Sequence, residues 1–441
     1  MAAPAGGLNG YVTRHRRLVA SVVAFVLVLG AAAGTRWSAG YRPAFRGCGE
    51  HRGLTIATDI DISPDFQRRA LVEGWNKLHP DEQATLVEVS RSTDATRSQL
   101  VAALDSGSCA YDVLVVDIAW LPEYAQRGLL AKVADDWMED PADFFPVTML
   151  TGQWKGRQYA VPWFTDAGLL YVRRGERAPA SWDELLKKGY AAQLGDYEGL
   201  TANALEAVWN TQKGAVLSGT IDKVDVRTAQ VVLQGLDRLA TGGPALADSR
   251  ASMEDGSLDA FAGGRATLMR NWPYAFRTLT ADPRVGDGFD VATLPAPGYS
   301  VLGGWDLAVS ARSRHRAEAG KLVDFLGNAE SQHQLFACGG FTPTRLSVLH
   351  NPAPCRDPKY RPEELPSAKR FAAFATTVQG ALDLARRRPV TPYYAQFSET
   401  FRGCVEQVLD AHAVPPRARE PSAATLAKVL TAALKGEHSG C

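Results

Sequence analysis

Nothing in the sequence favours one sign of charge: Lys+Arg and Asp+Glu number 48 each, for a formal net charge of +0 at pH 7. That balance sets up no global field for a polyanion, so nucleic acid is excluded as a natural partner, and a neutral ligand fits better. Motifs for hydrolytic or nucleotide chemistry are missing too. There is no Gly-x-Ser-x-Gly, no His-Glu-x-x-His, no phosphate-cradling Gly-x-x-x-x-Gly-Lys and no Gly-x-Gly-x-x-Gly after a strand. The eight histidines are scattered and no Cys-x-x-Cys pair offers a metal site, so neither metal nor cofactor is expected. Carboxylates at strand ends remain compatible with a glycosidase pair, whose sequence spacing does not exclude it.

What is present begins at the N-terminus. Arg14, His15, Arg16 and Arg17 precede the apolar run Leu18 to Gly30 and then Ala31, Ala32 and Ala33, the pattern of an export signal. Leu18 to Gly34 suits either a spanning anchor or the core of a signal peptide cleaved after Ala33. Cys48 follows Phe45, Arg46 and Gly47 rather than small apolar residues, so no lipid attachment signal is present. Residues 1–35 therefore read as signal peptide or signal anchor, and 36–52 as a spacer. The protein is expected outside the cytoplasm, anchored at the outer face of the membrane or released after cleavage.

In that oxidising setting the six cysteines, Cys48, Cys109, Cys338, Cys355, Cys404 and Cys441, are candidates for disulfides. Fifteen pairings are possible. Cys338 with Cys355 closes a short loop and Cys404 with Cys441 staples the C-terminal tail. Cys48 and Cys109 each precede a strand-like run, which brings them together if those strands are parallel neighbours.

At 441 residues the chain suits two domains. Leu54 to Ile60, Ala84 to Val89 and the apolar Tyr111 to Asp117 read as strands. Asp65 to His79 and Thr96 to Ser106 read as the helices between them. This alternation predicts an α/β domain with a largely parallel sheet whose ligand lies beyond the strand C-termini, where Asp59, Asp61, Asp117 and Trp120 fall. After Pro162 come helices at 181–188, 199–211, 226–240 and 257–263. Strands follow at 288–295 and 301–310, then more helices.

Aromatic residues recur beside Gly, Pro and charged side chains: Trp163-Phe164-Thr165-Asp166, Arg270-Asn271-Trp272-Pro273-Tyr274, Gly303-Gly304-Trp305-Asp306 and Pro392-Tyr393-Tyr394. Sugar recognition needs this mixture, because a pyranose has apolar C–H faces that lie on aromatic rings and a hydroxyl rim that needs directional polar partners. Any one of these tryptophans alone reads more readily as core, and only their recurrence beside polar residues shifts the balance.

These stretches carry a family resemblance. YDVLVVDIAWLPEYAQRGLL (Tyr111 to Leu130), YAVPWFTDAGLLYVRR (Tyr159 to Arg174), DYEGL (Asp196 to Leu200), MRNWPYAF (Met269 to Phe276), LGGWDLAVS (Leu302 to Ser310), GGFTPTR (Gly339 to Arg345) and RPVTPYYAQFSE (Arg388 to Glu399) stand in order. Over about Leu54 to Ala411 the chain resembles the substrate-binding proteins of ABC sugar importers, in particular the trehalose/maltose-binding group of the extracellular solute-binding family. The resemblance implies two α/β lobes of the periplasmic-binding-protein type, hinged near Val161 to Trp163, Tyr274 to Phe276 and Ser310 to Arg312. It groups 53–162 with 276–311 as the N-terminal lobe, and 163–275 with 312–441 as the C-terminal lobe.

It further implies a monomer that encloses a disaccharide or short oligosaccharide between its lobes and delivers it to membrane permease subunits, with no chemistry on the ligand. A membrane-anchored sugar sensor is the alternative. Carried over residue by residue, the ligand set is Asp117 with Trp120, Phe164 where relatives often have Tyr, Asp166, the platforms Trp272 and Trp305, Gly303 and Gly304 for close backbone approach, Arg388, and more weakly Tyr197 and Glu198. Asp59 and Asp61 stand where close relatives commonly have glycines. They add acceptors for sugar hydroxyls or for a cationic group, or else cap the following helix.

Overall fold

The computed structural model describes residues 53–212, 214–413, 416–438 and 440–441. The N-terminal export segment, the spacer and Cys48 with its expected bond to Cys109 lie outside them. The described residues form one compact unit.

Strands β1 (Leu54–Thr58), β2 (Ala84–Glu88) and β3 (Val113–Asp117) pair in parallel, with β1 in the middle. Every residue of β3 is buried, as an unbroken apolar run covered on both faces requires. The connecting helix Gln67–Leu78 turns Leu71, Val72 and Trp75 inward, the three-to-four spacing of one helical face. A small hairpin of β4 (Gln153–Trp154) and β5 (Arg157–Gln158) leads to β6 (Ala160–Ala167).

One residue later the chain changes sheet. Gly168 separates β6 from β7 (Leu169–Arg173), and β7 is flanked by β8 (Leu268–Asn271) and β9 (Phe289–Thr293) in a second, antiparallel sheet. A Cβ at Gly168 would lie 2.7 Å from Arg270 Nε and from Glu206 Oε1, so the crossing strand presses against that buried ion pair with no room for a side chain. β10 (Ser300–Val309) returns to the first sheet and lies antiparallel to both β3 and β6. β11 (Thr342–Pro343) continues the β6 edge, and β12 (Ala385–Arg386) pairs with the first residues of β10.

The large sheet therefore runs β11-β6-β10-β3-β1-β2 and is mixed, not largely parallel. Alternation of strands and helices holds only up to β3. β6 and β10 arrive after long excursions, and β10 enters between β3 and β6 in the opposite direction to both. The pairings also differ from the expected lobe grouping: β9, inside 276–311, joins β7 in the small sheet. The helix Arg316–Gly327, inside 312–441, packs on β10, β6 and the helix Gln67–Leu78 of the large-sheet side.

The C-terminal helices Tyr394–Ala411 and Ala423–Ala433 pack on the helices Glu198–Gln212 and Val226–Ala240 beside the small sheet. Disulfides Cys338–Cys355 and Cys404–Cys441 form as expected from the loops they close. No described cysteine is free, and among the described residues no helix is long and apolar enough to cross a membrane.

Candidate ligand-binding cleft

The ends of β1, β3, β6 and β8 and the middle of β10 converge on one cavity of about 450 Å³, within the size range of small-molecule sites. Twelve of the thirteen residues singled out in the sequence line it; Trp120 is the exception.

Register explains the convergence. Trp305 on β10 is paired with Asp117 at the end of β3 and with Phe164 on β6, and Gly303 is paired with Asp166. A bulge between Trp305 and Asp306 interrupts the β6 ladder there. Such an irregularity re-aims side chains, and Trp305 keeps part of its ring accessible while Asp306 is buried. Gly304 has φ 130°, and a Cβ there would stand 2.5 Å from the Phe164 carbonyl oxygen, so only glycine allows β10 this close to β6. At Gly303 a Cβ would meet Asp166 Cβ at 3.1 Å and the Trp272 ring at 3.4 Å.

The Trp272 platform is held from behind. Arg270 is fully buried, forms a bidentate pair with Glu206 through 2.6 and 2.8 Å bonds, and lies 3.7 Å from the centroid of the Trp272 ring. Glu206 also accepts the Val301 N–H, tying β10 to the same anchor. The indole N–H of Trp272 donates to Glu254 at 3.3 Å. Phe164 is less a platform than a floor: it is buried, with its ring 4.6 Å from that of Phe341.

Arg388, just past β12, joins the two sides. Nη2 donates to Asp117 Oδ1 at 2.8 Å and Nη1 to Glu198 Oε1 at 2.7 Å, and all three side chains are buried. Glu198 is satisfied further by the hydroxyls of Tyr394 and Ser398. Its own N–H donates to Asp94, on the helix Thr93–Asp105 of the large-sheet side. Burial raises the pKa of Asp117 and of Glu198, and Arg388 works against that rise. The paired carboxylates drive the Arg388 pKa upward.

Asp59 and Asp61 divide their expected roles. Asp61 is buried and faces inward. Its Oδ1 accepts the Ser63 N–H and hydroxyl, and its Oδ2 accepts the Arg68 N–H, while Ser63 Oγ accepts the Gln67 N–H. It thus organises the start of the helix Gln67–Leu78. Asp59 pairs with Arg68 at 2.5 Å and keeps some exposure.

Trp120 is a core residue. Only 2% exposed, it packs edge-on against Tyr394 at 4.9 Å under Arg97. It sits at the N-cap of the helix Leu121–Gln126, and its ring is part of the core rather than of the cavity lining.

Four buried polar atoms of the lining lack hydrogen-bond partners: Arg68 Nε, Asp166 Oδ1, Tyr197 Oη and Arg388 Nε. Burial, then the neighbouring Asp117, raises the Asp166 pKa well above the carboxylate range. Buried groups of this kind are normally satisfied, so donors and acceptors left open in one cavity point to a polar ligand.

Sequence reasoning missed Arg68, Phe66, Glu254 and Phe341, all in the lining. One signal was available for Arg68: a cation in the first turn of a helix opposes the helix dipole and requires an anionic partner, and two aspartates lie just upstream.

Residues 64–333 match the family model described as bacterial extracellular solute-binding protein. A probable ABC transporter-binding protein of Deinococcus radiodurans is 28% identical over 428 residues, covering 88% of this chain and 97% of the relative. Among solved structures, maltose-bound MalE3 of T. maritima superposes with TM-score 0.72 at 26% identity, covering 86% of this chain and 98% of the other. The GacH receptor of Streptomyces glaucescens GLA.O, solved unliganded and with acarbose, superposes with TM-score 0.68 at 23% identity, covering 88% and 100%. The fold is thus the two-lobe arrangement of periplasmic binding proteins, built for binding rather than catalysis, and this chain belongs to the bacterial extracellular solute-binding protein family of ABC transporters.

Proposed function

We propose that this chain captures a disaccharide or short oligosaccharide, trehalose- or maltose-like in size, and hands it to the permease of an ABC importer. The carrying observation is a cavity of about 450 Å³ in which Trp272 and Trp305 stand beside the open acceptor of Asp166 and the open donor of Arg388. Aromatic faces suit sugar C–H groups, while the open polar atoms suit hydroxyls, each of which donates and accepts. The maltose in the MalE3 structure and the acarbose in the GacH structure support a saccharide.

The lobes are assigned to the two sheets, with the chain crossing at Gly168 and between β9 and β10, and Arg388 spanning the cleft. Asp117, Phe164, Asp166, Trp272, Gly303, Gly304, Trp305 and Arg388 are assigned to the ligand, with Tyr197, Glu198 and Asp59 at its edge. Asp61 holds the loop beneath. Export rests on the basic and apolar N-terminal sequence, and N-terminal sequencing of the protein recovered from cells separates a cleaved from a retained segment. A thermal-shift screen over trehalose, maltose and sucrose tests the ligand class, because a ligand that binds only the folded state raises Tm. No shift with any of the three, nor with longer α-glucosides, overturns the reading.

A further inference from the structure

The charges around the cavity do not balance. Seven carboxyl groups line it against three guanidinium groups, those of Arg68, Arg91 and Arg388. Each guanidinium is already engaged: Arg68 with Asp59, Arg388 with Asp117 and Glu198, and Arg91 across the rim with Asp255 at 3.9 Å. Arg270, behind Trp272, is committed to Glu206. Asp166 forms no ion pair among the described residues, and its Oδ1 is buried without a partner. Glu254 forms no ion pair among the described residues; Tyr197, a backbone N–H, the Trp272 indole N–H and the more distant Arg270 offset its charge. A cavity walled by protein screens charge poorly, so a cation brought against the unpaired Asp166 carboxyl interacts strongly with its ionised form.

Resting on the saccharide reading above, we propose that the ligand carries a basic amine, and that its ammonium group sits against Asp166 as the missing cation. An ammonium has three donors and no acceptor, and a carboxylate accepts only. Hydrogen bonds between charged partners are shorter and stronger than neutral ones. The Nε of Arg388 asks for an acceptor, which a hydroxyl or ring oxygen of the same molecule supplies. The ligand class is therefore an amino sugar or an amine-bearing oligosaccharide, whereas a fully neutral disaccharide leaves Asp166 without an ion-pair partner.

A proton count separates the two cases. The charged groups facing Asp166 are Asp117 from β3, Asp59 after β1, Arg270 from β8 and Arg388 beyond β12, while β10 faces it with uncharged Gly303. Burial makes the empty site hold the Asp166 proton to higher pH than an ordinary carboxyl. An ammonium favours the ionised form and expels that proton on binding, whereas a hydroxyl leaves it in place.

The test is calorimetric titration of the wild-type chain with trehalose and maltose and with their 2-amino and 6-amino derivatives, in two buffers of different ionisation enthalpy. At least one amino derivative is expected to bind tenfold or more tightly than its parent sugar, with proton release. Asp166→Asn is expected to bring that ratio to about one. Parent sugars that bind as tightly as every amino derivative overturn the amine and leave the saccharide reading intact. Failure of both sets to bind overturns the saccharide reading itself. The ratio is read on the wild-type chain, so poor folding of Asp166→Asn leaves it decisive.

Discussion

Arg388 and Asp117 stand 271 residues apart in the chain, and their side chains meet at 2.8 Å, with the other arm of the guanidinium on Glu198. Asp117 ends a strand of the large sheet and Glu198 begins a helix beside the small one, so a single buried cation ties the two sides of the cleft.

Removing that cation leaves two buried carboxylates unpaired. Breaking a buried pair in this way costs about 3–5 kcal/mol. Urea unfolding of Arg388→Ala is expected to show a loss of that size, with Arg388→Lys intermediate because one ammonium cannot reproduce both arms of the fork. A loss below about 1 kcal/mol contradicts the bridging role.

The two glycines of β10 separate backbone from cavity effects. Gly304→Ala forces a Cβ to within 2.5 Å of a carbonyl oxygen at φ 130°, and is expected to destabilise the fold by about 1–3 kcal/mol or more. Gly303→Ala presses on Asp166 and the Trp272 ring, so it is expected to weaken ligand binding while leaving Tm within a few degrees. Thermal unfolding and calorimetry on both variants check the contrast, and equal effects on Tm contradict it.

Asp306 predicts a pH dependence. Fully buried beside Trp305, it accepts only a 3.2 Å bond from the Thr151 hydroxyl, and burial raises its pKa to about 8. Between the unfolded value near 4 and about 8 the folded state holds a proton that the unfolded chain has lost. This group's contribution is therefore fully present below about pH 4 and declines as pH rises to about 8. Asp306→Asn is expected to flatten the fall of stability over that range. Unfolding curves at several pH values check it, and an unchanged slope contradicts it.

The disulfides are expected to rank by loop length. Cys404–Cys441 closes 37 residues and Cys338–Cys355 closes 17, so replacing Cys441 by Ser should cost somewhat more than replacing Cys355, each about 2–4 kcal/mol. Urea denaturation of the two variants, compared with the parent, reads the order.

Much of this was legible from local sequence. The run Tyr111 to Asp117 announces a doubly covered strand, and the stretches around Asp166, Trp272 and Trp305 carry the mixture of aromatic and polar residues that a sugar requires. Long-range pairing was not legible. No local pattern tells β10 to enter antiparallel between β3 and β6, or β9 to join β7, because strand direction is settled by the crossing at Gly168 and by the packing of distant helices. Trp120 misleads for the same reason: beside Asp117 in sequence, it is turned into the core against Tyr394, a residue from the other end of the chain. Asp61 admits both roles in sequence, and only the hydrogen bonds to Ser63 and Arg68 choose the structural one.

The central claim is that Trp305 and Asp166 grip a saccharide in the cleft. Calorimetric titration of the wild-type chain, Trp305→Ala and Asp166→Ala with whichever sugar raises Tm most tests it directly. One site per chain is predicted, with affinity at least tenfold lower in each variant, about 1.4 kcal/mol, and Tm without ligand within a few degrees of wild type. Unchanged affinity in both variants would contradict this assignment of the site.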